Sequence, residues 1–272
     1  MLRKLRPYVE QFPRAAALYR AIRDELRSNV SPVDTPFGFK LAGRDDMANG
    51  SFEPEESAYL MDHLSEFDVF VDVGANIGFY SCLARKLGKF VVAIEPLPDN
   101  LKFLYNNLLI NGWSDTEVFP LGLASQPGLV PIFGGGTGAS LVSGWADSTT
   151  AYRSQIPVST LDHLLGNRFG GSRLFVKIDV EGAEYDLLRG ASATLARRPW
   201  PTFLVEVCLT EHHPTSMHPN FRDVFELFWR SGYEASTIRP ERSIGIDDVS
   251  RWIRDRRQDF GSHNFIFRST AR

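Results

Sequence analysis

The chain contains little cysteine, no long apolar run and no excess of one charge. Its two cysteines among 272 residues are too few for a disulfide framework, so we expect a reducing, cytoplasmic location. No stretch approaches about 18 uninterrupted apolar residues, which argues against a membrane span. Arginines also interrupt the N-terminal segment where a secretory signal needs its apolar core. The formal net charge of −3 gives no argument for a nucleic-acid partner.

The hydrophobic pattern is that of an α/β protein. Apolar runs of about five residues alternate with amphipathic segments, as in successive βαβ units. Before them come a predicted helix over residues 2–26 and a linker rich in proline and glycine over 31–49. We therefore divide the chain into a helical extension, residues 1–50, and a main domain, residues 51–272. The predicted strands of that domain are 69–73, 90–94, 117–120, 174–178, 202–207, 233–238 and 264–267. A helix is predicted over 183–196, and a β-hairpin that includes 130–133.

A glycine turn follows the first strand of the main domain. Dinucleotide-binding turns read Gly-x-Gly-x-x-Gly, because the second glycine lets the backbone approach a pyrophosphate. Here Asn76 replaces that second glycine, and Gly78 comes four residues after Gly74 instead of five. A side chain thus stands where a pyrophosphate needs bare backbone. The turn predicts a nucleoside ligand without phosphate.

Two acids beside this turn indicate which ligand that is. Asp72, two residues before Gly74, would repel a phosphate and suit an ammonium group. Glu95, at the end of the next strand, can accept hydrogen bonds from both hydroxyls of a ribose. Adenosine joined to an amino acid is S-adenosylmethionine, which we predict as the cofactor. Leu123, just after the third strand, is a weaker candidate for packing against the adenine.

A second acidic group follows the strand predicted at 174–178. Asp179, Glu181 and Glu184 lie within six residues, where ligands bind in open α/β sheets. They repel one another unless a positive group is near, and the candidates are Lys177, a metal, the cofactor sulfonium or a substrate amine. For Glu184 a favourable position at a helix N-terminus is the alternative. We expect Asp179 and Glu181 to orient the substrate or the base.

Four segments carry a family resemblance: residues 71–78 (VDVGANIG), 94–96 (IEP), 160–162 (TLD) and 177–184 (KIDVEGAE). Together they resemble the FkbM family of S-adenosylmethionine-dependent methyltransferases, over residues 52–267. The resemblance implies a class I methyltransferase fold, a Rossmann-like, doubly wound sheet of seven strands with one antiparallel. It also implies methylation of hydroxyl groups on sugars or polyketide-like natural products.

Two adjacent histidines follow the strand predicted at 202–207. An alcohol is a poor nucleophile unless a base removes its proton, and histidine can accept that proton near neutrality. We expect His212 to be the base, with His213 as second choice, and two surface histidines as the alternative. His212, Asp179, Glu181 and Glu206 could also bind Mg²⁺, whose dependence the sequence leaves open.

The sequence therefore predicts an O-methyltransferase acting on a saccharide or another polyhydroxylated small molecule. Two other hypotheses stay open: a small-molecule N-methyltransferase, and a module that binds the cofactor without catalysis. Nucleic acid ranks lower as a substrate, because the motif that holds a flipped base is absent from the sequence. A homo-oligomer is compatible with the sequence.

Overall fold

A computed structural model describes residues 31–148, 153–259 and 263–269, so the helix predicted over 2–26 lies outside the described residues. The strands are β1 (Val33–Asp34), β2 (Lys40–Leu41), β3 (Val69–Val73), β4 (Phe90–Ile94), β5 (Glu117–Phe119), β6 (Gly122–Leu123), β7 (Gly128–Phe133), β8 (Arg153–Ser159), β9 (Leu174–Ile178), β10 (Thr202–Glu206), β11 (Glu234–Thr237), β12 (Ser243–Ile244) and β13 (Asn264–Arg268). The α-helices are α1 (Asp45–Ala48), α2 (Pro54–His63), α3 (Phe79–Lys86), α4 (Pro98–Ile110), α5 (Leu161–Leu165), α6 (Glu184–Arg189), α7 (Ser192–Leu195), α8 (Phe221–Arg230) and α9 (Ile246–Asp255).

The central sheet has the strand order β12-β11-β13-β10-β9-β3-β4-β5. Strands β10, β9, β3, β4 and β5 are parallel, and β13 runs antiparallel to both β10 and β11. These seven strands confirm the predicted class I methyltransferase fold. The two-residue strand β12 adds an eighth at the edge, antiparallel to β11. It is too short to give a periodic signal in the sequence.

Burial on both faces explains why the central strands are apolar throughout. All five residues of β3 are buried, as parallel strands with helices on both faces require. Alternation sends Val69, Val71 and Val73 into the core that contains α8, and Phe70 into the core that contains α3. Asp72 is two residues after Phe70, so its side chain lies on the same face of the sheet as that of Phe70.

Several elements outside the central strands differ from the prediction. The helix predicted over 183–196 is two helices, α6 and α7, interrupted at Gly190. A Cβ at Gly190 would lie 2.4 Å from the carbonyl oxygen of Ala124, so the chain packs too closely there for a side chain. The predicted hairpin strand is β7, which pairs with β8 in a separate sheet of order β6-β8-β7.

Residues 31–50 pack on the sheet. Phe39 and Leu41 are buried in the same core as Phe79 of α3. Asn107 of α4 joins this segment to the turn after β3, since its side-chain amide donates to the carbonyl oxygens of Ala42 and Ile77. The division at residue 50 stays a prediction. Among the described residues, no helix combines the length and the apolar character needed to cross a membrane.

Candidate active site

A cavity of about 250 Å³, the strand-end cavity, opens at the carboxyl ends of β3, β4, β9 and β10. Four parallel strands end there side by side, which places the residues that follow them around one space. The predicted site residues in its wall are Gly74, Asn76, Glu95, Leu123, Asp179 and Glu181.

The turn after β3 requires its glycines. Gly74 has φ of 84°, and a Cβ there would lie 1.8 Å from the carbonyl oxygen of Asp179. Gly78 has φ of 88°, and a Cβ there would lie 2.5 Å from a methyl of Leu104. Asn76 adopts the left-handed region at φ of 52°, which asparagine tolerates better than most residues. Its buried Oδ1 has no hydrogen-bond partner among the described residues, so this residue of the cavity wall has an acceptor that the protein leaves unused.

Glu95 directly follows β4 and lies in the same wall. Its Oε2 accepts the backbone N–H of Asn76 at 2.8 Å, and its Oε1 accepts the N–H of Leu97 and the amide of Asn100. Burial raises the pKa of Glu95 to about 7, although these three donors favour the charged form. A carboxylate oxygen has two lone pairs, so Oε2, which accepts one donor from the protein, can accept a further donor, whereas Oε1 already accepts two. The geometry thus suits a ligand hydroxyl at Oε2.

The end of the strand-end cavity near Glu95 is apolar. Its wall consists of Pro96, Leu97, Leu121, Leu123, Ile132 and Ile156. Leu123 is 3% exposed and belongs to the core that contains α8, so its position is fixed by packing. An apolar slot beside a carboxylate that can accept a hydroxyl has the chemistry that a nucleoside requires.

The structure does not place Asp72 in the cavity wall. The Asp72 carboxylate is 1% exposed and accepts the Ser81 hydroxyl of α3 at 2.6 Å. Burial raises its pKa to about 6. The alternation of β3 is the reason, because Asp72 faces α3 while the cavity lies beyond the strand end. This position does not support the predicted contact with a methionine ammonium.

Three carboxyl groups meet at the other end of the strand-end cavity, those of Glu53, Asp179 and Glu206. They form the acidic cluster, in which one oxygen of each lies within 4.8 Å of the others. The Lys177 ammonium is buried beside them and lies 2.9 Å from Asp179 Oδ2. Burial opposes the charged form of Lys177, but the surrounding carboxylates raise its pKa. Of the partners considered for these acids, Lys177 is therefore in place.

The members of the acidic cluster differ in their electrostatics. The pKa of Glu206 is raised well above its usual range, mainly by the charge of Asp179 and secondly by burial. Burial raises the pKa of Glu53. Three carboxyls around one ammonium repel one another, so the ionisation of all three together is disfavoured.

Glu181 is held by a loop that crosses the cavity. Its backbone has φ of 55°, and its Oε2 accepts the indole N–H of the buried Trp145 at 2.6 Å. Ser140 Oγ donates to the Glu181 carbonyl oxygen at 2.5 Å. Burial raises the pKa of Glu181 to about 8. The carboxyl lines the cavity, as its predicted orienting role requires.

The two histidines lie behind this loop. His212 is exposed, is not among the residues lining the cavity, and has its ring centroid 6.0 Å from that of Trp145. His213 is half-buried and pairs with the Thr215 hydroxyl at 2.7 Å. Neither shares the cavity with Asp179, and His212 is not in the group of possible metal ligands among the described residues. Loop conformation, rather than a strand period, sets these directions.

Sequence reasoning missed Glu53 and Trp145. Glu53 stands in an irregular segment ahead of α2, where neither a motif nor a period indicates its direction. For Trp145 a partial signal exists: a large aromatic side chain in a polar, glycine-rich stretch indicates a packed loop.

The fold and the strand-end cavity define a class I methyltransferase, and comparison with known proteins identifies its family. A family profile described as "Methyltransferase FkbM domain" matches residues 72–235. The match covers more than half of the chain, which therefore belongs to this methyltransferase family. The residues present fit the cofactor, with a hydroxyl acceptor at Glu95 Oε2, an apolar slot at Leu123 and an unused acceptor on Asn76.

One curated relative is the hexuronic acid methyltransferase AglP of Haloferax volcanii, 30% identical over 145 residues. The alignment covers 50% of this chain and 55% of AglP, so the chain spans about half the length of this relative. Matched solved structures include an O-methyltransferase from Bacillus cereus in complex with SAH (13% identity, 82% of this chain and 83% of that chain, TM-score 0.45). Another is the precorrin-6y C5,15-methyltransferase from Geobacter metallireducens (12%, 85% and 94%, TM-score 0.45).

Proposed function

We propose that the protein is an O-methyltransferase acting on a hydroxyl of a saccharide or another polyhydroxylated small molecule. The observation that carries this proposal is the position of the acidic cluster relative to Glu95. Glu95 follows β4 and Asp179 follows β9, with only β3 between them. Two interstrand spacings amount to about 10 Å. A cofactor with its ribose at Glu95 would therefore direct its methionine end toward the cluster.

In this proposal the predicted cofactor residues keep their roles, with the exception of Asp72. Gly74, Asn76 and Gly78 shape the turn beneath the ligand, and Glu95 holds the ribose hydroxyls. Leu123 packs against the adenine. Asp72, with its Ser81 partner, holds β3 to α3 and acts on the ligand only through its charge.

The acidic cluster would supply the base for methyl transfer. The cofactor provides an electrophilic methyl on a sulfonium sulfur. As the bond from the acceptor oxygen to this methyl forms and the sulfur–methyl bond breaks, the hydroxyl proton passes to a cluster carboxylate and a thioether leaves. Asp179 and Glu181 would orient the acceptor. His212 remains a testable alternative: His212→Ala should leave turnover unchanged, whereas a large loss would restore it as the base.

The charge of the acidic cluster favours a neutral acceptor. AglP, described as a hexuronic acid methyltransferase, supports a sugar as the substrate class, although a hexuronic acid is itself an anion. A carboxylate at about 5 Å from one uncompensated cluster charge would cost about 3 kcal/mol at an effective dielectric constant of 20. We therefore propose a neutral sugar or polyol hydroxyl as the acceptor.

An N-methyltransferase is the second candidate, because the same acids could orient an ammonium group. Turnover should be measured across pH on matched alcohol and amine acceptors. An amine must lose its proton before it attacks, so N-methylation should rise steeply toward the pKa of the amine. Faster turnover of the alcohol below that pKa would support O-methylation.

A panel assay tests the function as a whole. Formation of S-adenosylhomocysteine with neutral sugars, amino sugars and uronic acids should be highest with a neutral sugar. Cofactor binding without product on any acceptor would instead favour a binding module. Addition of EDTA tests magnesium: turnover lost and then restored by Mg²⁺ would establish a metal role. The two buried free cysteines support the proposed cytoplasmic location.

A further inference from the structure

We propose that Glu53, which precedes the segment matched by the family profile, binds the acceptor hydroxyl and takes its proton. This inference rests on the proposed O-methyl transfer. It assigns the base to a residue outside the region 72–235 that defines the family.

The Glu53 carboxyl reaches the acidic cluster from outside the sheet. Asp179 and Glu206 come from strand ends, whereas Glu53 is the residue immediately before α2. All three line the strand-end cavity. A ligand between the strand ends and this segment would therefore meet Glu53 on the side opposite the sheet-derived groups.

The position of Glu53 is fixed by several contacts. Tyr80 Oη donates to Glu53 Oε2 at 2.5 Å, and Phe52 packs against the rings of Phe79 and Tyr80. The Glu53 backbone is left-handed at φ of 39° and ψ of 64°, although it is neither glycine nor asparagine and precedes Pro54. Such a conformation costs about 1–3 kcal/mol and persists only where its surroundings enforce it. The strain places a carboxyl in the cavity that a relaxed backbone would direct elsewhere.

The other two members of the cluster are less suited to accept a proton. Asp179 Oδ2 is paired with the Lys177 ammonium at 2.9 Å, so this oxygen already has a partner. Glu206 lies beside Asp179, whose charge favours the protonated form of Glu206. Glu53 has one oxygen held by Tyr80, and its Oε1 has no hydrogen bond among the described residues. That oxygen is available to an acceptor hydroxyl.

The charged environment of Glu53 includes groups from each element around it. Lys177 and Asp179 act from β9 and its end, Glu206 from β10, Glu56 from α2, and Arg44 from the preceding segment. Burial outweighs the attraction of Lys177, so the Glu53 pKa is raised. A raised pKa brings a carboxylate closer to the value at which a general base works best near neutrality.

The test compares Glu53→Gln with Glu55→Gln, which alters an exposed glutamate of the first turn of α2. We expect Glu53→Gln to lower kcat on the best neutral acceptor by about 10²- to 10⁴-fold. Cofactor affinity, measured by calorimetry, should stay within about threefold because Glu95 and the glycine turn are untouched. The acidic limb of the kcat/KM profile should disappear in Glu53→Gln and persist in Glu55→Gln.

Two further variants keep the inference testable should Glu53→Gln fold poorly. Tyr80→Phe keeps the carboxylate and removes the hydroxyl that holds it, so kcat should fall by less than in Glu53→Gln. Glu53→Asp should retain part of the activity and the acidic limb. Turnover of Glu53→Gln equal to that of Glu55→Gln, or a loss of cofactor affinity parallel to the loss of kcat, would overturn the assignment. Failure of the wild-type protein to methylate any hydroxyl would instead refute the proposed function.

Discussion

Replacement of Glu95 by glutamine is the most direct test of the cofactor half of the strand-end cavity. The Glu95 carboxylate accepts three donors from the protein at 2.8 to 3.1 Å. In glutamine one acceptor oxygen becomes an NH₂ group. That group would either face the N–H of Asn76 or displace a donor on the other side. The substitution therefore removes the charge, and with it the charge-assisted hydrogen bond to the ribose, while leaving the size of the side chain unchanged.

The expected loss follows from the energies of such bonds. Hydrogen bonds to a charged group contribute about 1.5–3 kcal/mol, so the loss of one, with the charge, should cost about 2–3 kcal/mol. This corresponds to about 30- to 150-fold weaker binding of S-adenosylhomocysteine in titration calorimetry. Glu55→Gln serves as the control and should bind as the wild-type protein does. An affinity of Glu95→Gln within about threefold of wild type would refute the ribose assignment.

Three other predictions rest on the same structure. Burial raises the pKa values of three acids, to about 6 for Asp72, about 7 for Glu95 and about 8 for Glu181. Because these groups have lower pKa values in the unfolded chain, the folded state binds more protons than the unfolded state between about pH 4 and 8. Stability should therefore fall as pH rises through this range, by several degrees in Tm; a Tm that rises from pH 5.5 to 8.5 would contradict the assignment of buried acids. Gly74→Ala should abolish folding or cofactor binding, whereas Gly88→Ala, at a φ of 76° with open space for a Cβ, should cost only about 1–2 kcal/mol in chemical denaturation. Turnover of a uronic acid should be at least about tenfold lower in kcat/KM than that of the matching neutral sugar, and equal values would remove the charge argument.

The sequence predicts the sheet well because its central strands are buried on both faces. Strands β3, β4 and β9 have the predicted bounds. Each is a mainly apolar run of five residues followed directly by a glycine or an acidic residue, and this change of residue type marks the end of the strand. The residues directly after these strands come together for the same topological reason. Gly74, Glu95 and Asp179 therefore meet at one cavity although more than 80 residues separate the second from the third.

Side-chain directions away from the strand ends depend on contacts that a single sequence does not reveal. For Asp72 the alternation of β3 already places its side chain on the face of Phe70 and α3. His212 follows β10 by several residues of irregular chain, where no period applies. Glu53 owes its direction to a strained backbone and to Tyr80, both of which exist only in the folded structure.

The charges at the strand ends connect the cofactor to the acceptor. Around the Lys177 ammonium stand Asp179, Glu53 and Glu206, so among the described residues this end of the cavity has more carboxyl groups than ammonium groups. Such a site favours a group that brings positive charge and disfavours an anion. A sulfonium brings the positive charge that this site favours. A neutral hydroxyl carries no negative charge, so the site does not repel it. As a cation enters, it also stabilises the ionised carboxylates. The same residues thus select a cationic methyl donor and make a base available to the acceptor when the donor is bound.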